Sequence, residues 1–180
     1  MIWVFEGLNN DRPDITYYLE KYLKITPNVL FWDKTPTWYC SDRWQNDIQQ
    51  ALETYGSPSL LLGASMGGFG ALLFQPMIKA KNCIIFGPQS DSRYEILSKL
   101  PGDNIFWANR MKHYIGKTIP RYSTGNIDIY FGYNECDKYH RQKCLELNYQ
   151  IIDIDTPIHC SFTYLFEERK LENIIKDKIC

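Results

Sequence analysis

The pentapeptide Gly63-Ala64-Ser65-Met66-Gly67, with Gly68 next, sets a serine between small neighbours. Such a string gains meaning from its context. Here the apolar run Leu60-Leu61-Leu62 precedes it and a helix-like Gly67-Gly68-Phe69-Gly70 follows. A serine on a sharp strand-to-helix turn takes a strained backbone conformation that exposes its hydroxyl. Gly63 and Gly67 are the small residues that close approach of helix and strand requires there. The helix N-terminus then points at the site and favours a developing oxyanion. Ser65 is therefore the expected nucleophile, with a small-residue packing turn or a phosphate-binding loop as the plainer alternatives.

A nucleophilic serine needs a base, and the chain has only 3 histidines. His159 follows Asp155-Thr156-Pro157-Ile158, past the last predicted strand and before the last predicted helix. In a parallel sheet that is the carboxyl edge, the edge that also carries Ser65. His113 falls in an irregular stretch, and His140 on the helix after the fifth strand. The base in turn needs an acid that holds its tautomer. Glu135 and Asp137 both follow the fifth strand in Tyr133-Asn134-Glu135-Cys136-Asp137. Asp137 is preferred because Asp is the more usual third member of such a triad, and Glu135 is the alternative.

The elements that must position these residues alternate. Apolar runs of strand length lie at Ile2–Glu6, Val29–Trp32, Ser59–Ala64, Cys83–Phe86, Ile127–Tyr133 and Ile151–Ile154. Most are continuous in apolar residues, as strands covered on both faces are. Between the first two, Ile15, Tyr18, Leu19, Tyr22 and Leu23 form one helical stripe, with Pro13 near its start. Trp44, Ile48, Leu52 and Tyr55 form another, for which Asp42 and Gln45 suggest a capping box and Gly56 a stop. A third helix begins after Ser65 and should end or kink at Pro76. The last helical region follows Ser161. This alternation predicts an α/β fold: a three-layer α/β/α sandwich with about six parallel strands, one domain over residues 1–180. Residues 89–126 break the rhythm. With helices expected around Ser92–Leu100 and Ile105–Tyr114, this stretch reads as an insert forming part of the substrate site.

Strand, GxSxG, helix, then an acid after the penultimate strand and a histidine after the last: this chain order resembles the α/β-hydrolase fold. The layout is similar to small, lid-poor bacterial serine esterases, beginning at the strand that carries the oxyanion loop. Glu6-Gly7 stands where His-Gly is usual. The resemblance implies an oxyanion hole from the backbone N–H groups of Met66 and Leu8, in the loop Gly7-Leu8-Asn9. Gly7 and Asn9 are then expected beside the substrate.

Composition narrows the remaining classes. The 180 residues are 44% hydrophobic and 23% charged, which excludes wholesale disorder. A net charge of −1 argues against nucleic acid as a partner. No apolar run reaches the roughly 20 residues that span a bilayer, and the N-terminus lacks the features of a signal peptide. The 6 cysteines are scattered without zinc-ligand spacing, so reduced thiols and a cytoplasmic location are expected, with no metal or organic cofactor. In the insert, Arg93, Lys99, Arg110, Lys112, Lys117 and Arg121 outnumber Asp91, Glu95 and Asp103. Arg93 and the ring of Trp107 are its candidate substrate contacts. The expected function is hydrolysis of a small carboxylic ester, such as a short acyl group on a sugar. An acyltransferase with the same triad and a non-catalytic binding or accessory protein of the same fold are the alternatives.

Overall fold

In the computed structural model, residues 1–7, 14–35, 37–102, 104–122, 125–159 and 161–179 are described. Six strands form one sheet: β1 (Ile2–Phe5), β2 (Val29–Phe31), β3 (Leu60–Ala64), β4 (Asn82–Phe86), β5 (Asn126–Phe131) and β6 (Gln150–Asp153). All neighbouring pairs are parallel, in the order β2-β1-β3-β4-β5-β6. The expected α/β architecture is the one observed, and each strand lies within two residues of its predicted bounds at either end.

Period-two alternation divides the sheet's side chains between two cores. On one face Trp3, Phe5, Leu61, Ile85, Ile129 and Phe131 pack beneath α2 (Arg43–Tyr55), α3 (Met66–Ile78), α4 (Tyr94–Leu97), α5 (Asn104–Met111) and α6 (Lys138–Glu146). On the other, Val4, Leu62, Ile84, Phe86 and Tyr130 pack beneath α1 (Asp14–Tyr18), α7 (Ser161–Glu167) and α8 (Leu171–Ile179). A π-helical turn, Leu19–Leu23, continues α1. These are the three layers. Strand order runs outward from β1 to β2 and then returns past β1 to β3. Because such crossovers are right-handed, that reversal sends α1 and α2 to opposite faces. Strands of opposite progression thus part between β1 and β3. Ligands of open α/β sheets bind at such a switch point, outside the carboxyl ends.

Three local expectations are corrected. Asp42 does not close a capping box: its own backbone is already helical (φ −63°, ψ −24°), so its side chain does not reach back to the first turn. Pro76 does not end its helix, which continues to Ile78. It stands two residues from the terminus, where Lys79 N–H bonds Gln75 O and the Gln75 amide satisfies both Ala80 N–H and Ala80 O. Tyr22, expected in the buried stripe of the first helix, is 48% exposed. Among the described residues, Cys40, Cys83, Cys136 and Cys144 are free thiols, and no helix is long and apolar enough to cross a membrane.

Candidate active site

Ser65 sits between β3 and α3 with φ 51° and ψ −119°, a region that costs a non-glycine residue of order 1–3 kcal/mol. The surroundings hold it there. Its N–H donates to Phe86 O at the end of β4 (2.9 Å), and its carbonyl accepts from Phe69 N–H (3.1 Å). The flanking glycines leave no room for a side chain. A Cβ on Gly63 would lie 2.8 Å from Gly67 O, and one on Gly67 would lie 2.1 Å from Phe5 O. Strand, turn and helix are thus interlocked, and the turn presents the serine hydroxyl outward.

The hydroxyl meets a histidine. Ser65 Oγ lies 3.0 Å from His159 Nε2, and His159 Nδ1 lies 2.6 Å from Asp137 Oδ1. Asp137 closes a short 3-10 turn, Glu135–Asp137, that follows β5 and is capped by Asn134. Its carboxylate is buried, and Oδ2 has no hydrogen-bond partner among the described residues. Burial therefore raises its pKa, and the bond and charge of His159 partly oppose that rise. Glu135, the alternative acid, points elsewhere: its side chain is 73% exposed and pairs with Lys138 at 2.5 Å.

The acid and histidine loops are built against each other. Tyr133 N–H donates to Thr156 O (2.8 Å) and Asn134 Nδ2 donates to Pro157 O (2.9 Å). Gly132 makes this packing possible, since a Cβ there would stand 2.6 Å from Thr156 O. Ser161 Oγ donates to Tyr130 O (3.1 Å) and so fixes the start of α7 just beyond His159.

A cavity of about 570 Å³ opens over these residues, lined by Ser65, His159, Gly7, Trp107 and their neighbours. Gly7 and Trp107 were both expected there. Leu8 and Asn9 lie outside the described residues. Met66 is buried as the first residue of α3, and the leading N–H groups of a helix have no intrahelical acceptor. Arg93 is not among the residues that line the cavity. Its guanidinium is held by the buried Asp91 through bonds of 2.9 and 2.6 Å.

Among the lining residues that the sequence reading did not assign to the site are Glu6, His140, Asn104 and Gln89. Glu6 is 1% exposed and accepts from Ile15 N–H (3.1 Å) and Thr16 N–H (2.7 Å), tying β1 to the first turn of α1. Its pKa is raised by burial, against those two bonds. His140, also 1% exposed, accepts from Ser90 N–H at Nδ1 (3.0 Å) and faces Asn104 Oδ1 with Nε2 (3.3 Å). That pairing requires the neutral Nε2–H tautomer, and burial with the neighbouring His159 lowers its pKa to about 3. Asn104 is itself anchored by donating to Pro101 O (3.0 Å). Gln89 accepts from the Trp38 indole N–H. No local motif marks Gln89, Asn104 or His140, which tertiary packing alone brings to the cavity, whereas Glu6 precedes Gly7 at the position where the resemblance has a histidine.

The sequence matches no protein-family model and no curated protein. Solved structures do match in shape. The capsule O-acetyltransferase of Neisseria meningitidis serogroup A, in complex with caged gadolinium, superposes with a TM-score of 0.61 at 16% identity, over 97% of this chain and 86% of its own. A second structure of that enzyme gives 0.57 at 15% identity, with the same coverage. A mutant of the N-acyl homoserine lactonase AidH, complexed with N-hexanoyl homoserine, also gives 0.57, at 11% identity over 98% of this chain and 88% of its own. This is the α/β-hydrolase fold. At such identities the likeness extends to the fold and no further, so the chemistry must be argued from the site.

Proposed function

We propose that this chain is a serine enzyme of acyl transfer that hydrolyses a small carboxylic ester through Ser65, His159 and Asp137. One observation carries the reading: the unbroken chain of bonds from Ser65 Oγ to His159 Nε2 and from His159 Nδ1 to Asp137 Oδ1. Ser65 Oγ attacks the ester carbonyl carbon as its proton passes to His159 Nε2. The resulting oxyanion is held by the N–H of Met66, at the positive end of α3, and by a second donor in the loop after β1, for which Leu8 N–H is the candidate. The tetrahedral intermediate collapses, the C–O bond to the alcohol breaks, and the departing oxygen takes the proton from His159. Water then attacks the acyl-enzyme with His159 as base, and the acid and free Ser65 are released. Asp137 holds the imidazole in the required tautomer and stabilises its charged form. Residues 89–126 contribute Gln89, Asn104 and Trp107 to the substrate site of this one domain.

A second reading is favoured by the likeness to a capsule O-acetyltransferase: the acyl group passes to an acceptor hydroxyl, for example on a sugar, instead of to water. The two share every step up to the acyl-enzyme. Intact mass after treatment with a fluorophosphonate tests what they share. One adduct per chain, absent from Ser65→Ala, is expected, and a folded wild-type chain that takes no adduct refutes both. Adding a sugar acceptor then separates them. Diversion of product from free acid to a new ester selects the transferase.

A further inference from the structure

We infer, building on the acyl-transfer reading, that the cavity is two subsites of unlike chemistry and that the one beneath α1 and α7 binds an aryl or alkyl part of the ester. The cavity straddles the carboxyl edge of the sheet, so each face furnishes a wall. From one face come the polar groups Gln89, Asn104 and His140, beside Trp107. From the other come the rings of Tyr18, Tyr22, Phe162 and Phe166, with Asp14, Tyr17 and Thr163 on the same helices. Ser65 stands at the seam.

The aromatic wall is a continuous surface. Tyr18 meets Phe166 with ring centroids 4.6 Å apart and Phe162 at 5.4 Å, while Tyr22 meets Tyr18 at 5.4 Å and Phe166 at 4.9 Å. Buried aromatic clusters are ordinarily core, but here Tyr22 is 48% exposed although it belongs to the cluster, so the rings continue out to the mouth. The turn that carries Tyr22 is π-helical, a rare conformation that is frequent at functional sites. Size supports the same division. About 570 Å³ suits a ligand of many more heavy atoms than methyl acetate has. The rings offer an apolar face to the hydrocarbon part of a substrate, which the amide and imidazole groups opposite do not.

Turnover of three esters tests this: methyl acetate, methyl phenylacetate with its ring on the acyl side, and benzyl acetate with its ring on the alcohol side. At least one ring-bearing ester should exceed methyl acetate about tenfold in kcat/KM. Tyr22→Ala and Phe166→Ala should each cut that ratio about fivefold, mainly through KM, since an aromatic contact is worth about that factor. Tyr22→Phe, which keeps the ring, should retain it. Equal turnover of all three esters, or a ratio unmoved in both alanine variants, overturns the inference. If Ser65 takes no fluorophosphonate, the catalytic reading has failed by itself, and binding still decides the subsite. Benzyl alcohol should then bind the wild type in the millimolar range and bind Tyr22→Ala several-fold more weakly. Absent or unaltered binding overturns the inference in that case too.

Discussion

Gly67 lies so close to the end of β1 that a Cβ on it would stand 2.1 Å from Phe5 O and 2.5 Å from Glu6 O. The turn that presents Ser65 and the strand that leads into the proposed oxyanion loop are therefore one packing unit. Gly67→Ala should force them apart, costing about 1–3 kcal/mol, the range of an overpacked core. Urea unfolding reads the cost, and fluorophosphonate labelling of Ser65 should slow in the fraction that stays folded. A variant with wild-type stability and labelling would show that the strand gives way freely.

Asp137 and Glu135 are two residues apart and sit in opposite environments, one buried against His159 and the other exposed beside Lys138. Asp137→Asn should keep the fold and lower kcat by up to about 10⁴, because the amide favours the wrong imidazole tautomer. Glu135→Gln should stay within about twofold, since an exposed ion pair contributes little. Equal losses in the two variants would contradict the assignment of the acid.

Glu6 occupies the place of a histidine in the family that the sequence resembles, and it joins two elements. Its carboxylate accepts the N–H groups of both Ile15 and Thr16. Glu6→Gln is nearly isosteric but has only one acceptor oxygen, so one of those buried N–H groups would face an NH₂. The expected cost is about 1–3 kcal/mol, seen as a lower urea midpoint, although the substitution removes a buried charge. A stabilised variant would mean that the desolvation of the carboxylate outweighs its two bonds.

What could be read from the chain beforehand follows from how far each signal travels along it. The strands were legible because burial on both faces makes them continuous apolar runs, as in Leu60-Leu61-Leu62. The strained turn at Ser65 was legible because steric crowding at Gly63 and Gly67 is a local demand. The preference for Asp137 over Glu135 rested on residue type alone, because both follow β5 and only the three-dimensional path of the loop buries one and exposes the other. Gln89, Asn104 and His140 were invisible for the same reason. His140 Nδ1 is satisfied by Ser90, fifty residues away in sequence. The resting place of Arg93 was likewise hidden, since Asp91 beside it counts as one more charge until the structure buries it.

His140 gives the molecule a stability that depends on pH. In the unfolded chain its imidazole takes a proton near pH 6.5, but in the fold it does so only near 3, because burial and the neighbouring His159 disfavour its charged form. Between those values the unfolded state binds more protons than the folded state, so stability falls as pH drops through this window, by up to about 1.4 kcal/mol per pH unit for one proton. Glu6 and Asp137 act in the opposite sense. Their pKa values are raised by burial, so the folded state holds their protons longer and stability is lost as pH rises through their own titrations. His140→Gln keeps an acceptor for Ser90 N–H and removes only the first effect. Urea midpoints at pH 7 and pH 5 should therefore diverge more in the wild type than in His140→Gln. Parallel shifts in the two proteins would mean that His140 takes up its proton inside the fold.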